Sequence, residues 1–173
     1  MPTLHYWENW KFIIIRWEML KKLEKNFEEI ILMTLLVLMS IVLGLQIVAR
    51  YVFNNSLSWS EELVRYLFIW STFLGIPYSI KKGISIRVDF LSYRMSYKNQ
   101  KRLKILNCIF IIILFAIISL FSFDVLNKSI LSAQKSPAIG IPTWTLQFSV
   151  FISSLLSIYR AVENLFKIRR EKW

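Results

Sequence analysis

The sequence has little of the side-chain chemistry that metal proteins and hydrolytic enzymes use. Its 173 residues include one cysteine, Cys108, and one histidine, His5. A single cysteine excludes an internal disulfide framework, and these two side chains do not make a metal-ligand cluster. The sequence also lacks a glycine-rich phosphate-binding loop and the spacing of a nucleophile with its base. We therefore do not expect this chain to be an enzyme.

Charge is absent from three long stretches, residues 30–49, 105–123 and 136–159. Each is long enough to cross a bilayer as a helix, which takes about 20 residues. A fourth apolar run, residues 66–80, reaches spanning length if its helix starts near Glu61. The chain is also 55% hydrophobic, above the roughly 45–50% of soluble domains. These runs predict an all-α membrane protein with four transmembrane helices.

The flanking charges set the expected boundaries of the domains. An amphipathic leader precedes a four-helix membrane domain, and a short basic cytoplasmic tail follows it. The predicted domain ranges are about 1–26 for the leader, 27–166 for the membrane domain and 167–173 for the tail. Within the membrane domain, the four predicted helices are about 27–51, 60–81, 103–126 and 142–165.

The net charge of +11 is distributed very unevenly. Of the 22 basic residues, the first and third loops hold only Arg50, Arg65, Lys128 and Lys135. The others lie in the leader, the middle loop and the tail, so the positive-inside rule places both termini in the cytoplasm. The basic charge is therefore interpreted as a topology signal with attraction to anionic membrane lipids, and no nucleic-acid partner is expected.

The leader has an aromatic pattern of its own. Trp7, Trp10 and Trp17 are separated by three and seven residues, so on a helix they lie along one side, opposite charged residues. Indole rings favour the headgroup region of a membrane. The pattern predicts an amphipathic helix in the membrane interface, and packing against a partner protein is the alternative.

Several helix ends have recognisable signals. Gly83 follows two lysines and predicts a left-handed stop for the second helix. Pro142 suits the first turn of the fourth helix. Asp124 stands four residues before Lys128, which predicts an ion pair on the helix surface rather than a functional site.

Two glutamates and an arginine open the second helix, in the stretch SWSEELVR at residues 58–65. Ser58 stands three residues before Glu61, which predicts a capping box. Glu61 also stands four residues before Arg65, the favourable orientation for an ion pair within a helix. In addition, Arg50 at the end of the first helix is a candidate to pair with one of the glutamates across the helix hairpin.

These residues occur in an order that resembles the small (Q-type, DctQ-like) membrane subunit of TRAP transporters, the tripartite ATP-independent periplasmic transporters. The resemblance covers about residues 27–166, and it departs at Ser85, where family members often have a histidine. The matching pieces are Arg50, Trp59-Ser60-Glu61-Glu62, Arg65-Tyr66, Trp70-Ser71-Thr72-Phe73-Leu74-Gly75, Lys82-Gly83, Arg87-Val88-Asp89-Phe90 and the stretch from Pro137 to Trp144.

The resemblance implies a specific function. Such a subunit lies in the bacterial cytoplasmic (inner) membrane and pairs with a large membrane subunit that carries the substrate and sodium sites. A periplasmic binding protein delivers organic acids such as sialic acid or C4-dicarboxylates. The small subunit would then be a scaffold that binds neither substrate nor cofactor, with sodium expected in the partner subunit.

A different class of function remains as the alternative, namely a self-contained channel or exporter that works as a small homo-oligomer. It would need polar residues along one helix face to line a pore. For the scaffold, we predict no catalytic, substrate-binding or metal-binding residue in this chain. The predicted structural and subunit-docking residues are Arg50, Trp59, Glu61, Glu62, Arg65, Trp70 and Gly75, and the predicted membrane-interface residues are Trp7, Trp10 and Trp17.

Overall fold

Four helices make up most of the computed structural model, which describes residues 4–55, 57–83 and 97–170. They are α1 (Leu4–Tyr51), α2 (Ser58–Lys82), α3 (Tyr97–Ser132) and α4 (Trp144–Arg170). Each contains a segment long and apolar enough to cross a membrane. The predicted all-α membrane architecture is therefore confirmed for the part of the chain that the structure describes.

The helices run further than the membrane spans that the charge pattern marks. α1 continues without a break from Leu4, and its spanning segment, Phe27–Tyr51, begins where the leader was predicted to end. α3 extends beyond the predicted 103–126 at both ends. The reason is that charged and polar residues end a membrane span but are compatible with a continuing helix. Helix length and span length therefore differ in this chain.

Parts of the predicted pattern lie outside the described residues. They are the side chains of Trp7, Trp10 and Trp17, and the stretch Arg87-Val88-Asp89-Phe90. The interfacial role of the three tryptophans stays a prediction.

The ends of α2 follow one prediction and contradict another. Gly83 has φ 70°, and its amide bonds back to the last turn, as the predicted left-handed stop requires. At the other end the N-cap is Leu57, and no side chain caps it. The hydroxyl of Ser60 instead donates to the Leu57 carbonyl at 2.6 Å. The predicted Ser58–Glu61 capping box is therefore wrong.

The helices pack in the order α1–α2–α4–α3, with the largest interface between α3 and α4. α1 packs against α2, and most of its half-buried residues form one narrow stripe. Apart from Glu29 and Ile31, the rest of its spanning segment is exposed. The stripe recurs every three or four residues, as in a left-handed helix pair. It consists of Glu28, Leu32, Leu35, Met39, Val42, Gln46 and Ala49. The result is an open row of helices with large apolar faces.

α4 lies between α2 and α3 and buries small side chains. Small residues let helix backbones approach closely in a membrane, and their hydroxyls can bond to backbone carbonyls. Ser149 and Ser154 donate to carbonyls of their own helix at 2.7 Å, and Ser153 donates to the Phe73 carbonyl of α2. The buried face consists of Ser149, Ser153, Ser154, Ser157 and Ala161.

The α3–α4 loop, residues 133–143, folds back on itself. The Ser136 amide donates to the Ile141 carbonyl at 2.9 Å, and the Thr143 amide donates to the Gln134 carbonyl at 3.0 Å. Gly140 has φ 75°, a conformation that glycine adopts without strain, and its amide donates to Ser136. This turn leaves the amides between Ser136 and Gly140 available to a neighbouring element.

Candidate functional site

Two polar clusters join the helices, one at each end of the helix axes. The hairpin end carries the α1–α2 turn and the α3–α4 loop. The tail end carries the C-termini of α2 and α4 together with Glu28 of α1. The hairpin end contains most of the residues that the sequence singled out.

Glu62 fastens the α3–α4 loop to α2. Its Oε2 accepts hydrogen bonds from the amides of Ala138 at 2.8 Å and Ile139 at 3.0 Å. A carboxylate that accepts from backbone amides makes a charge-assisted bond, about twice as strong as a neutral one. The role of Glu62 is therefore to hold a loop that lies 76 residues away in the sequence.

Glu61 fastens the α1–α2 hairpin. Its Oε1 accepts a hydrogen bond of 2.9 Å from the Nε2 of Gln46 in α1. Arg50 and Arg65 are both exposed, and neither forms an ion pair with another described residue. A glutamate does join the two helices, but its partner is the neutral Gln46. The predicted pairs of Glu61 with Arg65 and of Arg50 with a glutamate are therefore wrong.

The two predicted tryptophans differ in their environments. The Trp59 residue is 40% exposed at the start of α2. Trp70 packs edge-on against Phe148 of α4, with ring centroids 6.4 Å apart. Gly75 faces open space, because a Cβ atom built there meets no atom within 4 Å. The seven predicted docking residues do not form one contiguous cluster in the structure. Their docking role stays a prediction.

The tail end has a half-buried ion-pair cluster that the sequence did not predict. The Glu28 side chain of α1 is 10% exposed and the Arg160 side chain of α4 is 13% exposed. The Nε and Nη2 atoms of Arg160 both lie 2.7 Å from Glu28 Oε1. Lys81 of α2 places its Nζ 3.0 Å from Glu28 Oε2. One carboxylate therefore joins three helices.

Further polar contacts surround this cluster. Nη1 of Arg160 pairs with Glu163 at 2.7 Å, and Glu163 pairs with Lys167 at 2.6 Å. The side-chain Nδ2 of Asn164 donates to the Ile80 carbonyl at 2.6 Å, next to the end of α2. Charged groups at the edge of a membrane span are stable when they pair in this way. The sequence marks Glu28 and Arg160 as charged residues that each border an apolar run. It does not indicate that these two runs pack together, so the pair could not be predicted.

The membrane interior has no comparable group within the described residues. The hydroxyl of Thr34 donates to its own helix at 2.8 Å, and that of Thr72 does the same at 2.8 Å. No group of three or more histidine, cysteine or acidic residues in the described part of the chain could hold a metal ion. On the helix surface, the predicted pair of Asp124 with Lys128 is confirmed at 2.7 Å.

One groove lies between α3 and α4 and has a volume of about 300 Å³. Its lining is almost entirely apolar, with Ser122 and Gln147 as the polar members. The Ser122 hydroxyl donates to the Ser119 carbonyl at 3.2 Å. The groove therefore offers apolar contact and no charged group.

Comparison with known proteins agrees with the architecture. Residues 39–171 match the family model described as the DctQ component of tripartite ATP-independent periplasmic transporters. The chain is 26% identical to the sialic acid TRAP transporter small permease protein SiaQ of Vibrio cholerae, over 88% of this chain and 87% of that protein. It is 26% identical to the C4-dicarboxylate TRAP transporter small permease protein DctQ of Pseudomonas aeruginosa, over 68% of this chain and 58% of that protein.

A third relative is longer. The isethionate TRAP transporter permease protein DctMQ of Oleidesulfovibrio alaskensis is 27% identical over 83% of this chain, which matches only 24% of that protein. The family match spans the hairpin end, the central helix α4 and the tail-end contacts of α2 and α4. The chain belongs to the DctQ component family, the small membrane subunits of the tripartite ATP-independent periplasmic transporters.

Proposed function

We propose that this chain is the scaffold subunit of a sodium-coupled importer of organic acids, and that it binds neither the substrate nor the sodium ion itself. The observation that carries the proposal is that the main polar groups of the described helices bond other groups of this same chain. Glu62 bonds the α3–α4 loop, Glu28 bonds Arg160, and the interior hydroxyls bond backbone carbonyls. A carboxylate substrate needs cationic or amide donors, and sodium needs oxygen ligands. The groove between α3 and α4 supplies no cation.

The proposed substrate class comes from the relatives, whose names specify sialic acid and C4-dicarboxylates. In this proposal, sodium and the organic acid bind to the large membrane subunit, and a periplasmic binding protein delivers the acid. The small subunit supports the large one during transport.

The proposed location is the bacterial cytoplasmic membrane, with both termini in the cytoplasm. The distribution of basic residues supports this orientation, since the hairpin end holds few of them and the tail end holds many. The hairpin end then faces the periplasm. Cysteine labelling of an otherwise cysteine-free variant, at Asn55 and at Arg170, would test this orientation.

Reconstituted uptake tests the scaffold role. Proteoliposomes would contain this chain alone, its large membrane subunit alone, or both, and each preparation would receive the binding protein and labelled sialic acid or succinate. We expect sodium-dependent uptake only when both membrane subunits are present. Uptake by this chain alone would contradict the proposal and would favour a self-contained carrier. Measured sodium binding to the isolated chain would contradict the proposed absence of a sodium site.

A further inference from the structure

α2 contains a proline within its membrane span. Pro77 lies inside the helix and is fully buried. Because proline has no backbone N–H, the carbonyl four residues earlier, that of Phe73, cannot receive its ordinary helical hydrogen bond. The hydrocarbon region of a membrane has no water to take that place, and an unpaired carbonyl there is costly. The Phe73 carbonyl therefore needs a donor from outside the backbone of α2.

Ser153 of α4 is that donor. Its hydroxyl donates to the Phe73 carbonyl, and the Ser153 side chain is fully buried. Two neighbouring buried serines of α4 behave differently, because Ser149 and Ser154 donate to carbonyls three residues earlier in their own helix. Ser153 thus differs from both of them by bonding another helix, at the carbonyl that Pro77 leaves without an amide partner.

α4 also bonds the end of α2. The Nδ2 of Asn164 donates to the Ile80 carbonyl, which accepts from the Gly83 amide as well. Ile80 is one of the last four residues of α2, whose carbonyls lack the amide of a following helical turn. Side chains of α4 therefore bond α2 at two places where its regular backbone hydrogen bond is missing, one before Pro77 and one after it.

The residues after Pro77 join α2 to the tail-end cluster. We call residues 78–82 the terminal segment of α2. Lys81 in this segment places its Nζ 3.0 Å from Glu28 Oε2, and Lys82 places its Nζ 3.4 Å from Glu29 Oε2. A proline inside a helix is a common site of bending, because one bond that holds the two sides together is absent. The position of the terminal segment therefore depends on contacts from other helices.

We propose that α4 locks the proline joint of α2 by bonding it on both sides, through Ser153 at the Phe73 carbonyl and Asn164 at the Ile80 carbonyl. The two bonds hold the terminal segment in one direction relative to α4. They thereby keep Lys81 beside Glu28, so that α1, α2 and α4 meet at the tail end. The inference rests on bonds within this chain and does not depend on the proposed transport function.

Hydrogen exchange of the full chain in detergent micelles, followed by mass spectrometry, tests the lock. Ser153→Ala and Asn164→Ala should each accelerate exchange in peptides covering residues 78–83 by roughly fivefold or more, because the terminal segment opens more often. Exchange in residues 62–72 should change by less than about twofold, since that part of α2 lies before the joint. Ser149→Ala is the matched control and should leave exchange in both regions unchanged.

A double-mutant cycle separates the role of the Ser153 hydroxyl from packing. In the native background, Ser153→Ala should raise the equilibrium constant of unfolding by roughly tenfold, because the Phe73 carbonyl then has no donor. In a Pro77→Ala background the new amide can donate to this carbonyl, so the same change should raise the constant by less than about twofold. Unfolding in mixed micelles, followed by circular dichroism, measures both effects.

Two results would overturn the proposal. An equal effect of Ser153→Ala in the two backgrounds would show that the serine acts through packing alone. Equal acceleration of exchange on both sides of Pro77 would show a general loosening of α2 instead of an opened joint. If Pro77→Ala does not keep the native helix content, the exchange of the terminal segment decides alone. Equal acceleration by Ser153→Ala and Ser149→Ala would then contradict the lock, and acceleration by Ser153→Ala only would support it.

Discussion

At the scale of single residues, Glu28 has the least exposed side chain of the tail-end ion-pair cluster. It contacts Arg160 and Lys81 at once, from a position that leaves its side chain 10% exposed. Removing the shared carboxylate takes a close partner from two cations that are largely shielded from water, which costs more than an exposed pair contributes. The neighbouring Glu29 pairs with Lys82 at 3.4 Å, where both side chains are much more exposed.

These two adjacent glutamates allow a matched test. We expect Glu28→Gln to lower the free energy of unfolding by about 3 kcal/mol, because Arg160 and Lys81 lose their shared carboxylate. Glu29→Gln removes the same charge one residue away and should change it by less than about 1 kcal/mol. Unfolding in mixed micelles, followed by circular dichroism, measures both. Equal destabilisation by the two changes would show that the buried cluster is no more important than a surface pair.

At the scale of secondary-structure elements, two carboxylates of α2 bind different neighbours. Glu61 bonds α1, and Glu62 bonds the α3–α4 loop. The N-terminal part of α2 therefore connects both halves of the hairpin end. The backbone amides of Ala138 and Ile139 in this loop both donate to Glu62 Oε2.

Hydrogen exchange separates the two roles. Glu62→Ala removes the charged acceptor that both loop amides share. Exchange at the Ala138 and Ile139 amides should therefore accelerate by roughly tenfold or more. Glu61→Ala, the matched control, should leave exchange at those two amides unchanged, because among the described residues Glu61 bonds Gln46 and not the loop. Exchange measured by mass spectrometry on peptides covering residues 134–143 decides between these outcomes, and identical rates in both variants would reject the role of Glu62.

The sequence predicted the elements much better than their contacts. Uncharged runs indicate membrane spans because burying charge in hydrocarbon is costly, and Gly83 marks a helix end because its backbone conformation favours glycine. Such signals are local. By contrast, the bonds of Glu62 to Ala138 and of Glu28 to Arg160 join residues 76 and 132 positions apart. Local rules predicted Ser58 and Arg65 as the partners of Glu61. In the structure, Glu61 bonds Gln46 of α1, and Glu62 bonds the α3–α4 loop.

At the scale of the whole molecule, the open row α1–α2–α4–α3 leaves apolar faces far larger than its core. The spanning window of α1 has no buried residue, and that of α4, the most buried, has 28%. In a bilayer such faces contact lipid tails or another membrane protein. Membrane helices associate most closely where small residues face each other. Gly75 in α2 offers such a place, because a Cβ atom built there meets no atom of the described residues within 4 Å.

Gly75→Leu tests whether the large subunit docks at this place. The new side chain meets open space in this chain, so its free energy of unfolding should not fall, and replacing a helical glycine favours the helix by up to about 1 kcal/mol. If a partner helix packs on Gly75, the same side chain obstructs it at a cost of about 1–3 kcal/mol. Co-purification of the large subunit should then fall by roughly tenfold.

Gly44→Leu on α1 is the control, since Gly44 also faces open space, and it should leave co-purification unchanged. An equal yield of complex from both variants would exclude Gly75 from the docking surface, whereas a loss with an intact fold would assign it there.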